Sequence, residues 1–275
     1  MTLPYLRNIL FLFSVFLTSV LTSDVDVSGT AVTTRFWDCC KPSCSWKAKA
    51  DFTQPVQTCD KDQQPLTDFN AGTACNGGDA YQCSNQQPWV VNDTLSYGFA
   101  GIYITGHVED FWCCACYQLD FTSDDLKNKS MIVQASNTAY DITTTNRFSL
   151  AMPGGNTTTH DACAEQFGVQ QSVFGTDGSG VSSIDDCGNL PESLQAGCRW
   201  RFDWFKDALY PSANFKRVTC PTELTQITGC TRDDDKKVSS QPITGGDNKG
   251  SAANVSPASS VVGSVAMIIA GLLAV

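Results

Sequence analysis

The sequence contains little histidine and fewer basic than acidic residues. Its two histidines are His107 and His160, and neither lies in a zinc-binding spacing such as H-E-x-x-H or C-x-x-C followed by H-x-x-x-H. The 18 basic and 28 acidic residues give a formal net charge of -10 at pH 7. Nucleic acids bind cationic surfaces through their phosphates, so an acidic chain is a poor partner for them. We therefore expect no metal centre, no cofactor and no nucleic-acid partner.

Internal repeats and heptads are also absent, and helical periodicity is scarce. Residues 183–194 form the one helix-like stretch, and Pro191 is expected to interrupt it. Alternation of β-branched and aromatic residues between Gly, Pro, Asn or Asp is typical of strands. It occurs at residues 99–105, 117–121, 131–136, 200–205 and 215–220. The sequence thus predicts a small, mainly β barrel or sandwich.

Cysteine, by contrast, is abundant. All 14 cysteines lie between residues 39 and 230. An even number at this density is typical of proteins that fold in an oxidising compartment, and it allows up to seven disulfides. The spacing alone does not give their connectivity. The run Cys113-Cys114-Ala115-Cys116 has no matching second cluster, so a metal site there is disfavoured.

The N-terminal end has the pattern of a secretory signal. Arg7 precedes an apolar run over residues 9–20, which is too short to span a bilayer and ends in small residues. We therefore predict a signal peptide over residues 1–23. Sequons that fit a glycosylated surface begin at Asn92, Asn128 and Asn156.

The C-terminal end has the order of a GPI-anchor signal. Small residues at 250–253 are followed by a polar spacer and an apolar run over 261–275 without a basic stop. A short tail-anchored helix is the alternative, but such a helix needs about 20 apolar residues. We predict a folded domain over 24–232, a polar tether over 233–253 and a removable anchor signal over 254–275. The mature protein is then expected at the cell surface or in the cell wall, with only its anchor in the membrane.

One segment near the N-terminus constrains a carboxylate tightly. Asp38 stands between the aromatic pair Phe36-Trp37 and the pair Cys39-Cys40. This segment, residues 33–44, resembles the signature of glycoside hydrolase family 45, secreted endoglucanases that cut β-1,4-glucan. The resemblance spans about residues 33–232 and includes residues 88–93, 112–117, 133–134, 153–155, 166–168 and 198–205.

The resemblance implies a mainly β fold, a six-stranded double-psi β-barrel with an open groove. Its loops are expected to be long and stapled by disulfides, and its helices few and short. The implied disulfide pairs are Cys39–Cys163, Cys40–Cys75, Cys44–Cys113, Cys59–Cys83, Cys114–Cys230, Cys116–Cys220 and Cys187–Cys198.

The family is expected to cleave with inversion, which uses two carboxyl groups about 6.5–9.5 Å apart. One activates water as general base, and the other protonates the leaving oxygen. Asp38 matches the base. The family's acid lies four residues before a Pro-Gly-Gly, and that position is here Ser149, whose hydroxyl is too weak an acid for the role. Phe36 stands where the family has a tyrosine.

Further residues match functional positions of the family. Asp141 lies on the expected loop over the groove, which is one residue longer here, and it is the candidate substitute acid. Asp161 also matches a family aspartate and is interpreted as structural or solvent-facing. Trp46 matches a groove position. We expect Trp46 and Phe36 to contact substrate, because aromatic faces pack against the apolar faces of sugar rings.

The residues leave two main functions open. The first is a monomeric, secreted endo-β-1,4-glucanase that acts on cellulose-like glucan and is weakened by the loss of its acid. The alternative is a glucan-binding or wall-loosening protein that keeps the groove without hydrolysis. A surface adhesin that uses only the disulfide frame explains the presence of Asp38 poorly.

Overall fold

The computed structural model of the protein describes residues 25–156 and 162–242. The predicted signal peptide and anchor signal lie outside the described residues, as do His160 and Asp161. In the described ranges no helix is long and apolar enough to cross a membrane. The strands there are β1 (Ser28–Phe36), β2 (Thr58–Cys59), β3 (Tyr81–Gln82), β4 (Trp89–Asn92), β5 (Leu95–Tyr103), β6 (Cys116–Phe121), β7 (Ser130–Thr138), β8 (Arg147–Ala151) and β9 (Ser212–Val218). The α-helices are α1 (Glu109–Trp112), α2 (Cys163–Phe167), α3 (Glu192–Asp203) and α4 (Thr222–Thr228).

Six of these strands close into a barrel. Their order is β5, β7, β6, β9, β1 and β8, and β8 pairs back to β5. The pairings of β1 with β8 and of β5 with β7 are parallel, and the other four are antiparallel. β4 extends the sheet from β5, while β2 and β3 form a separate pair. The prediction of a mainly β, six-stranded barrel with few short helices is confirmed.

Aromatic side chains from three barrel strands pack in the main core. Tyr117 on β6, Phe148 on β8 and Phe215 on β9 lie with ring centroids 5.2–6.1 Å apart. Each is at most 3% exposed. Rings of this size remove a large apolar area from water, so these contacts hold strands together that are distant in the sequence.

Four of the five predicted strands coincide with β5, β6, β7 and β9. The fifth, residues 200–205, is wrong, because this stretch ends α3. Pro191 does not interrupt that helix but precedes its first residue, where the missing N–H of proline leaves no bond unmade. The residues before it form only a 3-10 turn, Asp185–Asn189. Trp200 stacks on Trp204 with centroids 5.3 Å apart, and this four-residue spacing is helical.

All seven implied disulfide pairs are present. Every cysteine of the chain lies in the described ranges, and none is free. Two of the pairs, Cys39–Cys163 and Cys40–Cys75, start directly after Asp38. A disulfide typically stabilises a fold by about 2–4 kcal/mol, chiefly by restricting the unfolded chain. The segment that carries Asp38 is therefore tied to two distant parts of the chain.

The packed body continues beyond residue 232, where we predicted a tether. Asp234 forms ion pairs with Arg217 and Arg232, and a 3-10 turn follows at Asp235–Lys237. Asp234 is thus neutralised by Arg217 of β9 and by Arg232, and Asp235 accepts from the backbone N–H of Cys220 at 3.1 Å, so these residues belong to the packed body.

Candidate active site

Asp38 lies two residues after β1 ends, and its surroundings fix it locally. Its Oδ1 accepts a hydrogen bond from the backbone N–H of Cys40 at 2.9 Å. Its backbone carbonyl accepts one from the N–H of Ala162 at 2.9 Å. Trp37 before it is 1% exposed, and Cys39 after it has a left-handed φ of 57°, which is uncommon outside glycine. The carboxylate is thus held between a buried ring and a tight turn.

A cleft of about 300 Å³ brings four of the five predicted site residues together. They are Phe36, Asp38, Asp141 and Ser149. The parallel pairing of β1 with β8 explains this arrangement, since Thr34 lies opposite Ser149. On the other side of β8, Gly101 of β5 lies opposite the same serine. A strand near the N-terminus and one in the middle of the chain therefore build the cleft jointly.

Ser149 gives the cleft a hydroxyl at the position where the family resemblance implies a proton donor. The residue is 8% exposed, and β8, with the sequence RFSLA, carries no carboxylate. A serine hydroxyl holds its proton too tightly for general acid catalysis near neutral pH. β8 therefore supplies the cleft with no group that could act as a general acid.

Asp141 reaches the same cleft and is bound by a guanidinium. Its Oδ2 lies 2.7 Å from Nη2 of Arg147, and its side chain is 64% exposed while that of Arg147 is 10% exposed. Nε of Arg147 donates to Oγ1 of Thr34 at 3.1 Å, so the arginine bridges β1 and the loop that carries Asp141. Arg147 stands two residues before Ser149, and alternate residues of a strand share a face, which would have identified it once β8 was recognised.

Several other lining residues were missed by the sequence reasoning. They carry amide, hydroxyl, guanidinium and phenol groups, and together with the carboxylates they suit a polar chain such as a polysaccharide. The missed residues are Arg35, Asn137, Thr138, Tyr140, Arg147 and Asn156. In the parts of the chain that the structure describes, no group of three or more His, Cys, Asp and Glu side chains could hold a metal ion.

A hydrogen-bonded network supports one wall of the cleft. Thr138 accepts from the indole N–H of Trp112 at 3.1 Å and donates to Glu109 at 3.0 Å. Lys49 donates to the same carboxylate at 2.5 Å. Burial opposes ionisation of Glu109, but hydrogen bonds from Lys49, Ser43 and Thr138 outweigh it and lower its pKa. Glu109 is therefore ionised at neutral pH and is a poor proton donor.

Trp46 does not line this cleft. It is half-buried, and the ammonium group of Lys41 lies 3.4 Å from the centre of its ring. Lys41 in turn donates to the carbonyls of Phe69 and Ala71, each at 2.8 Å. Contact between Trp46 and substrate stays a prediction for a part of the surface outside the cleft.

Residues 29–231 match the model of glycosyl hydrolase family 45. A putative endoglucanase type K from Fusarium oxysporum is 48% identical over 225 residues, which cover 82% of this chain and 58% of that protein. An endoglucanase from Cryptopygus antarcticus is 46% identical over 205 residues, which cover 74% of this chain and 90% of that protein. The chain thus spans little more than half of the Fusarium relative and most of the Cryptopygus one.

The fold has a close counterpart among solved structures. The crystal structure of a cellulase from the Antarctic springtail Cryptopygus antarcticus matches with a TM-score of 0.72 and 46% sequence identity. The match covers 75% of this chain and 99% of that one. The matched range of the family model contains every residue that lines the cleft. The chain belongs to glycosyl hydrolase family 45.

Proposed function

We propose that the protein cleaves internal β-1,4 bonds of a cellulose-like glucan. The observation that carries this proposal is Asp38, a carboxylate fixed by its own turn in a cleft that Phe36 also lines. Membership of glycosyl hydrolase family 45 and the relatives named endoglucanase support the substrate class.

The proposed reaction is an inverting hydrolysis. Asp38 acts as the general base that takes a proton from the attacking water. Asp141 is the candidate acid, because it is the other carboxyl group that lines the cleft. Its Oδ2 is engaged by Arg147, so proton donation uses the other oxygen or follows release of the guanidinium. Phe36 offers an apolar face to the sugar.

Hydrolysis is expected to be weakened, because Ser149 stands where the resemblance implies the acid. General acid catalysis contributes about 10²–10⁴ in rate. The same serine favours the second candidate function, a glucan-binding or wall-loosening protein, since binding needs the groove and no proton donor.

The test is cleavage of a soluble cellulose derivative by the full-length chain and its variants. Asp38→Asn should remove cleavage, because an amide cannot accept the proton from water. Ser149→Asp should raise the rate by about 10²–10⁴, with glucan binding nearly unchanged. Ser149→Asn is the matched control, because asparagine has the size of aspartate but no carboxyl group. This variant should not raise the rate.

Asp141→Asn separates the two accounts of the acid. If Asp141 donates the proton, this variant loses cleavage and Ser149→Asp adds little to the natural rate. If Asp141→Asn leaves a weak natural rate unchanged while Ser149→Asp raises it, the natural protein lacks an acid, and glucan binding becomes the better description. Full activity of Asp38→Asn would show that the proposed mechanism is wrong.

We also propose that the protein is secreted and held at the cell surface or in the wall by a GPI anchor. The support is the order of charged, apolar and small residues over residues 1–23 and 254–275. A cellulose-like polymer is too large to be imported intact, so an enzyme that acts on it is useful only outside the cell.

A further inference from the structure

A second cavity adjoins the cleft that contains Asp38. Its volume is about 260 Å³, and its far wall is formed by the loop over residues 205–211. Arg35, Arg147 and Asn156 line both cavities. We call these three residues the shared wall. Because the same residues border both spaces, the cleft and the second cavity are neighbours.

The shared wall offers hydrogen-bonding groups that the described part of the protein leaves unused. Nη1 of Arg147 and Oδ1 of Asn156 are buried and have no hydrogen-bond partner among the described residues. The guanidinium nitrogen is a donor and the amide oxygen is an acceptor, and a sugar hydroxyl can both accept and donate a hydrogen bond. A buried polar group without a partner is costly. Both atoms have almost no accessible surface, so a ligand hydroxyl supplies the missing bonds only after a small shift of these side chains.

Two exposed aromatic rings stand in these cavities. Among the described residues, Tyr140 and Tyr210 are the most exposed aromatic side chains, at 55% and 66%. Tyr140 lines the cleft, and Tyr210 lines the second cavity. All other aromatic side chains in the described ranges are at least half-buried or packed in the core. The placement of Tyr140 and Tyr210 in adjoining cavities points to a common ligand.

Tyr140 is supported from below by buried rings. It makes T-shaped contacts with Trp112 at 6.3 Å and with Tyr103 at 6.1 Å between centroids. Trp112 is 0% exposed and is tied to Thr138 by its indole N–H. The ring of Tyr140 is therefore held in place while more than half of its surface stays open.

Tyr210 is presented by a loop with unusual backbone geometry. Lys206, Asp207 and Tyr210 have φ values of 56°, 49° and 50°, and left-handed residues other than glycine often mark ligand sites. The loop is anchored because Asp207 accepts from Arg35 at 2.9 Å and from Arg201 at 2.7 Å. This preorganisation lowers the entropy that binding would otherwise cost.

We propose that Tyr140 and Tyr210 are stacking platforms for a single β-glucan chain, whose hydroxyls bind the shared wall between them. The proposal rests on the proposed function and deepens it. It makes chain length a determinant of affinity, because only an oligosaccharide long enough to enter both cavities contacts both rings.

The experiment is calorimetric binding of cellohexaose and cellobiose to the full-length chain carrying Asp38→Asn, which prevents cleavage. Tyr140→Ala and Tyr210→Ala should each weaken cellohexaose binding about threefold to tenfold. The double variant should weaken it by about the product of the two factors. Cellobiose should respond to no more than one of the two substitutions, since two sugar units fit one cavity.

Control variants separate stacking from other effects. Tyr140→Phe and Tyr210→Phe keep the ring and should keep the affinity, whereas Tyr140→Leu and Tyr210→Leu keep apolar bulk and should lose it. Val91→Ala, an exposed side chain on β4 that lines neither cavity, should bind as the parent does. Equal thermal unfolding midpoints establish that the variants are folded.

The outcomes distinguish the two proposals. If the parent binds cellohexaose and the double alanine variant binds it equally well, glucan does not stack on Tyr140 and Tyr210. The proposed function is unaffected by that result. A double variant no weaker than either single one contradicts a shared chain. If the parent binds no cellohexaose at all, both the proposed function and the proposed stacking on the two tyrosines are contradicted.

Discussion

Lys41 carries a positive charge in the loop that follows Asp38, and it is 5% exposed. Its ammonium group is bound by two backbone carbonyls and the ring of Trp46. Burial lowers the pKa of Lys41 to about 8, against a small opposing effect of Asp68. Since the unfolded chain holds this proton up to a higher pH, burying the charged form costs stability below pH 8, and the cost is relieved as the pH rises above that value.

We predict that tryptophan fluorescence changes with an apparent pKa of about 8, because a neutral Lys41 no longer makes a cation–π contact with Trp46. The measurement is a fluorescence titration between pH 6 and 10. Lys41→Arg, which keeps its charge throughout, should remove the transition while keeping the low-pH spectrum. A transition that persists in Lys41→Arg would place the titrating group elsewhere.

The individual residues differ in how far the sequence could identify them. Asp38 could be found because its constraints are local, with a buried ring before it and cysteines after it. Ser149 could be found by counting from a Pro-Gly-Gly. Arg147 could not, because its place in the cleft depends on the pairing of β1 with β8, which no local pattern in the sequence indicates. Tyr140 could not, because it follows β7 and its position depends on contacts with the distant Tyr103 and Trp112.

Among the elements, α3 and β8 show how the spacing of residues and the length of a segment limit the prediction of secondary structure from sequence. Aromatic residues at 200–205 favour a strand by composition, but their spacing of four residues and the preceding Pro191 specify a helix. β8 has five residues and starts with a charged one, so its alternation is too short to stand out. Its burial comes entirely from its neighbours in the barrel.

The 3-10 turn Asp235–Lys237 and its flanks are held by a charge cluster. Arg217 on β9 is 1% exposed and forms an ion pair with Asp234, which also accepts from Arg232 at 2.9 and 3.0 Å. Burial disfavours the ionised form of Asp234. The hydrogen bonds from Arg232 and Arg217 outweigh this effect and hold the pKa of Asp234 well below its usual range.

We predict that Asp234→Asn lowers the free energy of unfolding by about 3–5 kcal/mol, because the charge of Arg217 stays buried without its counter-ion. Urea unfolding at pH 7 measures the loss. Asp233→Asn is the matched control, since Asp233 is exposed and its side chain makes no ion pair in the described structure. An equal loss in both variants would show that general charge, rather than this cluster, is responsible.

The pH dependence of the same cluster has a definite sign. The folded pKa of Asp234 is depressed, so its stabilising contribution is complete above the unfolded value of about 3.9 and is lost as the pH falls below it. The difference in stability between the natural chain and Asp234→Asn should therefore shrink in acid.

At the scale of the whole molecule, the spacing of the cysteines does not determine how the seven disulfides are connected. Composition predicted an oxidised frame, but the connectivity came from the family resemblance and is now confirmed. Pairs such as Cys114–Cys230, 116 residues apart, depend on the closed barrel and cannot be read from local sequence.

We predict that expressing cells release the protein when treated with a phosphatidylinositol-specific phospholipase, or with hydrofluoric acid if it has been transferred to the wall. The attachment site is expected among residues 248–253, where small residues cluster before the polar spacer. Mass spectrometry of the released chain should find no peptide from residues 261–275. Recovery of that peptide from the mature protein would contradict the anchor.

The position of β1 between β9 and β8 has a consequence for biosynthesis. β1 leaves the ribosome first, yet both of its neighbours in the barrel are made more than a hundred residues later. Its parallel partner β8 requires a long connection, and pairings of this kind form slowly. Until β8 and β9 have been synthesised, β1 has no strand to pair with, and the segment that carries Asp38 lacks the opposite side of the cleft. The complete cleft therefore forms only after β8 and β9 have been synthesised, and nascent chains that lack these strands also lack the cleft.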